Sequence, residues 1–169
     1  AVVDGIPLNE AMSHADGYVD LNVLVPLEID SLTVLKGPVS ALYGNFNRGG
    51  LVNIQTRKTG DYAQTDLALG SHATTDLQAA YGSAIGERQQ LNAAVQLYRT
   101  DGYRPQSDTD RVTAAARWSF DATDDLQIAL SGRFLESDSR SAPYVTRAQF
   151  DAGPIGIDPR TQNDGAALP

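Results

Sequence analysis

The chain of 169 residues has no cysteine, one methionine and one tryptophan. Only two of its 13 basic residues, Lys36 and Lys58, are lysine. Without cysteine there is no disulfide framework, zinc ribbon or thiolate nucleophile, and two histidines well separated in sequence, His14 and His72, do not by themselves build a metal site. Positive charge is scarce as well: 21 acidic residues leave a net charge of −8, the wrong sign for a nucleic-acid-binding module. No apolar run reaches the ~20 residues of a transmembrane helix. Mean hydropathy is −0.28, the value of a water-soluble protein. A transmembrane β-barrel escapes that inference, because its strands alternate lipid-facing apolar with lumen-facing polar residues and average out. No basic segment followed by an apolar run opens the chain, and its first residues already read as a strand, so it is expected to begin within a protein or after processing.

What is present changes grammar near residue 60. Before it, short apolar runs stand among turn residues, which predicts a small α+β unit. Ile29 to Leu35 reads as a strand closed by Gly37-Pro38. Pro38 fits the first position of a short helix through Tyr43, with Gly44 as its left-handed cap. Gly49-Gly50 allows a sharp turn into a strand from Leu51 to Thr56.

After residue 60 the period is two. Strands are predicted over Tyr62–Gly70, Ala73–Ser83, Gln90–Arg99, Arg111–Phe120 and Leu126–Leu135. One face carries Leu67, Leu69, Leu77, Val95, Leu97, Val112 and Leu130. The other carries Asp66, Asp76, Gln78, Asn92, Arg117 and Arg133 among small residues. Their length suits strands of roughly 9 to 11 residues crossing a membrane better than the shorter strands of soluble sandwiches. Tyr62, Tyr81, Trp118, Phe120 and Phe134 are read as an aromatic girdle near the strand ends of the apolar face. The alternation predicts that Trp118→Asp blocks membrane assembly while Ser119→Asp, on the opposite face, is tolerated.

The stretch Glu28 to Ile54, EIDSLTVLKGPVSALYGNFNRGGLVNI, resembles the plug signature of TonB-dependent outer-membrane receptors, and VVDGIPLNEA upstream is similar to that family's V-D-G-V-P-L-N segment. The segment YRTDGY, Tyr98 to Tyr103, is similar to an early barrel strand of the same family. The motif residues that carry the likeness are Asp4, Gly5, Lys36, Gly37, Pro38, Tyr43, Gly44, Gly49, Gly50 and Asn53. The resemblance implies a mainly β chain: the C-terminal part of a plug domain over residues 1–60, then about five antiparallel strands of a 22-stranded transmembrane barrel over 61–169. It implies a fragment of a receptor in the outer membrane of a Gram-negative bacterium, importing a ferric siderophore or similar chelate. TonB-ExbB-ExbD would supply the energy, outer-membrane lipid would surround it, and no cofactor, metal or nucleic acid would be held. Ser31 and Thr33 stand where the family usually has the Arg and Glu that lock plug to barrel wall.

By the same resemblance the loop from Asn9 to Gly17 forms the plug apex, so Asn9, Glu10, Met12 and His14 are candidate ligand contacts, joined by Tyr103 and Arg104 and by Arg140, Tyr144 and Arg147. Arginine pairs well with carboxylates and phenolates. Ordinary loop charge is the competing reading for each. Lys36-Gly37-Pro38 lacks the spacing of a phosphate loop and reads as a strand-to-helix corner. Asp108 and Asp110 lack the glycine and distal glutamate of a calcium loop, Asp124-Asp125 reads as a turn, and His72 as a hairpin residue. No Ser/His/Asp arrangement supports an enzyme. The alternative is a soluble antiparallel β-module that binds a glycan or protein.

Overall fold

The computed structural model describes residues 1–8, 19–38, 49–104, 106–141 and 146–152. Strands make up most of it, in two sheets.

The small sheet has the order β2-β1-β4-β3, from β1 (Val2–Val3), β2 (Ile6–Pro7), β3 (Ile29–Lys36) and β4 (Gly50–Thr56). Asp4 and Gly5 join β1 to β2 with φ of +49° and +87°, the pair of left-handed residues that a tight hairpin demands and an Asp-Gly dipeptide supplies. β4 is central, parallel to β1 and antiparallel to β3, so Asn53 lies between Val2 and Thr33. Gly50 faces Lys36 with φ +137°, and a Cβ there would overlap the Leu35 carbonyl. Gly37, at φ +84°, turns the chain out of β3 and donates its N–H to Gly49. The helix expected over 39–43, with Tyr43 and Gly44, lies outside the described residues.

The long sheet is an antiparallel meander: β5 (Tyr62–Leu69), β6 (Thr75–Ile85), β7 (Gln89–Thr100), β8 (Thr109–Thr123) and β9 (Leu126–Ser139), paired in sequence order. All five strands foreseen from the alternation are present. β8 runs further than expected at both ends and β9 at its C-terminal end, beside the start of β8. There the outward row leaves the apolar pattern and continues as charge pairs, with Arg99 3.6 Å from Asp110. β6–β7 and β8–β9 are joined by short turns at one end, and the longer β7–β8 loop lies at the other. A register slip in β8 falls between Asp121 and Thr123. His72 takes φ +58° in the β5–β6 turn, as a hairpin residue should. A short helix α1 (Arg147–Ala152) lies where irregular chain was expected; Arg147 pairs with Asp151 one turn on, at 3.0 Å, and covers the Phe150 ring.

Between the sheets run two 3-10 turns, Leu21–Val23 and Pro26–Glu28. The adjacent residues Leu24 and Val25 point opposite ways. Leu24 joins Val3 and Ile54 in the core of the small sheet, while Val25, with no exposed surface, packs on Ala80 and Ala94 of the long sheet.

Candidate functional site

The long sheet is polar inside and apolar outside. The register places Gln64, Ala80, Ala94, Ala115 and Arg133 in one row across the five strands on the face under the small sheet. Tyr62, Gly82, Asn92, Arg117 and Ser131 make the next row, two residues nearer the short turns. Gln96 is only 3% exposed and Thr113 not at all, whereas Leu69 and Leu130 on the opposite face are 74% and 70% exposed. A water-soluble sheet has the reverse arrangement, because apolar area in water costs about 25 cal/mol per Å². The outward apolar rows run from Leu77 to Ile85 on β6 and from Val112 to Phe120 on β8. Eight residue steps at ~3.3 Å, tilted by ~40°, give a band on the order of 20 Å tall. That is close to the ~25 Å apolar belt of an outer-membrane barrel. Arg99 and Asp110 border the band at one end, and Glu87, Arg88, Asp124 and Asp125 lie together beyond the other.

Of the expected girdle, Trp118 and Phe120 stack at a centroid distance of 6.1 Å beside the short turns, and Trp118 donates its indole N–H to Gln89. Three assignments need correcting, the first being Tyr81, which lies opposite Ala93 in the middle of the outward span from 77 to 85 rather than near its end. Tyr62 is on the inner face: its hydroxyl donates to Asn92 at 3.0 Å, Arg57 lies 4.8 Å from its ring centre, and its ring covers Gly82 so closely that a Cβ there would overlap it. Parity decides this, since residue 62 shares the face of Gln64 and Asp66. Phe134 sits opposite Ala114, well inside β9 rather than at its end.

Polar contacts fasten the small sheet to the wall. Asn22 accepts from Arg111 through its side chain, and its carbonyl accepts from the Thr113 hydroxyl at 2.9 Å. Glu28, 8% exposed, accepts the Val25 N–H at 3.0 Å and is paired with Arg133 of β9. A buried carboxylate is costly unless paired, so this ion pair fixes which part of the wall the turn meets. Asp4 accepts from the Thr56 N–H (3.1 Å) and hydroxyl (2.6 Å) and lies 3.6 Å from Lys58. Beside these groups the sheets leave a cavity of about 250 Å³, lined by Asp4, Ile6, Arg117, Ser131 and Arg133.

Residues 1–51 match the family model described as TonB-dependent Receptor Plug Domain. Those residues are thus similar to part of a TonB-dependent receptor plug domain. The chain is 35% identical over 104 residues to the vitamin B12 transporter BtuB of Vibrio cholerae, covering 60% of this chain and 16% of that protein. It is 27% identical over 105 residues to the BtuB of Vibrio vulnificus, covering 61% of this chain and 17% of the relative. To the metal-pseudopaline receptor CntO of Pseudomonas aeruginosa it is 26% identical over 133 residues, covering 75% and 17%. The chain thus spans 16–17% of the length of these relatives, which are transporters and a receptor.

Within this chain Glu28 and Arg133 join the turn to the wall, with the residue of the turn acidic and the residue of the wall basic. Sequence reading missed the Glu28–Arg133 pair because the partners are 105 positions apart. The signals available were the acid that opens the motif and the single arginine among the inward residues of β9. Of the candidate ligand contacts, Asn9, Glu10, Met12, His14 and Tyr144 lie outside the described residues. Tyr103 and Arg104 sit in the β7–β8 loop; Tyr103 is exposed, and the Arg104 N–H donates to the Ser107 hydroxyl at 3.3 Å. Arg140 lies 3.6 Å from Asp108 and Arg147 is paired with Asp151, so both are engaged locally. No group of His or acidic side chains able to hold a metal occurs among the described residues.

Proposed function

We propose that the full-length protein is a TonB-dependent importer in the outer membrane of a Gram-negative bacterium, taking up a nutrient chelate, with a ferric siderophore as cargo. The observation that carries this reading is the inverted polarity of the long sheet, with its leucine face bare and its polar face under the plug. Residues 1–60 form the C-terminal part of the plug and 61–169 the first part of the barrel. β5 and β9 each offer an unpaired edge, which lipid does not tolerate, so further strands close the sheet into the 22-stranded barrel of the family. Cargo binds at the plug apex through Asn9, Glu10, Met12 and His14, with Tyr103 and Arg104 contributing from the wall. TonB, energised by ExbB-ExbD, then draws on the plug. No covalent chemistry is done on the cargo. A soluble glycan- or protein-binding module would leave the leucine face without cover.

The likeness to vitamin B12 transporters favours a second cargo, vitamin B12. The full-length receptor is expressed in a Gram-negative strain lacking its own receptors for both nutrients. Growth is scored on a panel of ferric siderophores under iron limitation and on limiting cyanocobalamin, with and without TonB. Growth on a siderophore that needs TonB supports the first reading and growth on cyanocobalamin the second. TonB-independent growth, or recovery of the protein outside the outer-membrane fraction, refutes both.

A further inference from the structure

Arg117 is the charged group on the inner wall that the resting contacts leave unexplained. It stands two residues nearer the short turns than the Arg133 row and faces Ser131 across the β8–β9 ladder. Its Nε is buried without a hydrogen-bond partner, and no described residue pairs with it as an ion. A partly buried cation without a partner is costly, and a carboxylate brought to it would relieve that cost. A carboxylate shares its surroundings: Glu28, Arg117 and Arg133 line the same small cavity. Diagonal neighbours on one face of an antiparallel ladder are ~7–8 Å apart at Cα, a gap that long Arg and Glu side chains bridge with little backbone motion. The other carboxylate of that cavity, Asp4, is already held by Thr56 and Lys58.

We propose that Arg117 is the second station of a two-position latch: when the plug turn carrying Glu28 is drawn toward the short-turn end of the wall, its carboxylate passes from Arg133 to Arg117. The buried charge then keeps a partner as the plug moves, and the Asn22 bonds to Arg111 and Thr113 are the contacts that must break first. The side chains between the two stations, Ala115 and Ser131, are small and offer little obstruction. This rests on the importer reading, in which short turns lie on the periplasmic side where TonB acts.

The test uses the full-length receptor in cells and whichever probe, ferric siderophore or cyanocobalamin, the wild type imports. Arg117→Gln is expected to bind the probe as wild type does and to lower TonB-dependent uptake about tenfold, with Arg117→Lys restoring most of it. Glu28→Arg with Arg133→Glu should rebuild the resting pair yet import poorly until Arg117→Glu is added. Should Arg117→Gln fail to assemble, Ser131→Asp supplies the station with a fixed carboxylate and is expected to lower uptake in an assembled receptor. Wild-type uptake in Arg117→Gln or in Ser131→Asp, or recovery of the reversed pair without the third change, overturns the latch while leaving the importer intact. Loss of probe binding in Arg117→Gln also overturns it, assigning Arg117 to cargo instead. A wild type that imports neither probe removes the importer reading and the latch with it.

Discussion

Leu130→Arg separates a lipid-facing sheet from a water-facing one. Leu130 is 70% exposed and lies in the outward row with Leu91 and Trp118, one row in from the short-turn border of the apolar band. An arginine on the lipid face of a barrel costs about 2–4 kcal/mol at the bilayer midplane and 0–1 at its edges, so this intermediate depth gives about 2 kcal/mol. The folded-to-unfolded ratio should then fall about 30-fold. Urea titration of the full-length receptor refolded into phospholipid vesicles measures this directly. The control is the next residue, Ser131, which is exposed on the inner face opposite Arg117, so Ser131→Asp should not lower stability. Ser119 cannot serve, contrary to the sequence expectation, because it is only 6% exposed and an added carboxylate would be buried. If water bathed the leucine face, Leu130→Arg would lie within about 0.5 kcal/mol of wild type. Equal effects of the two substitutions refute the face assignment.

Other outcomes follow from the packing. Arg133→Gln strands the buried Glu28 carboxylate and should cost about 3 kcal/mol by denaturant titration, with Glu28→Gln in the same chain recovering most of it. Gly82→Ala pushes a methyl into the Tyr62 ring and should cost about 1–3 kcal/mol, less in a Tyr62→Ala background. Val25→Ala removes buried packing against Ala80 and Ala94; a loss of about 2 kcal/mol is expected, read as faster amide exchange in β3 and β4 of the full-length receptor. Gly5→Ala forces a side chain into φ +87° and should lower stability by about 1 kcal/mol, whereas Gly5→Asn should be milder.

Strand after strand was legible because each wall residue has one of two surroundings and the sequence alternates between them. Leu67, Leu77, Leu97 and Val112 form a single row in the structure, as their spacing requires. Periodicity under-read the far ends of β8 and β9, where residues such as Asp110 and Ser137 meet water on both faces and no contrast remains. Tyr62 was misplaced by letting residue type outweigh parity; an aromatic ring suits a girdle, yet it also fills the space over a glycine. The Glu28–Arg133 pair was illegible for another reason, since it depends on how the plug sits against the wall. No local pattern encodes that.

The alternation also dictates which changes of length the wall can survive. Deleting or inserting one residue within β6 or β7 would exchange the two faces beyond that point and turn asparagine and glutamine outward, whereas a two-residue change would only move a row up or down. The slip in β8 obeys this constraint: it falls between Asp121 and Thr123, just past Phe120 and Ile128, where the outward apolar rows have ended. Single-residue insertions are therefore expected to accumulate in the turns and in the charged ends of the strands, leaving the eight-step apolar span from 77 to 85 fixed in length.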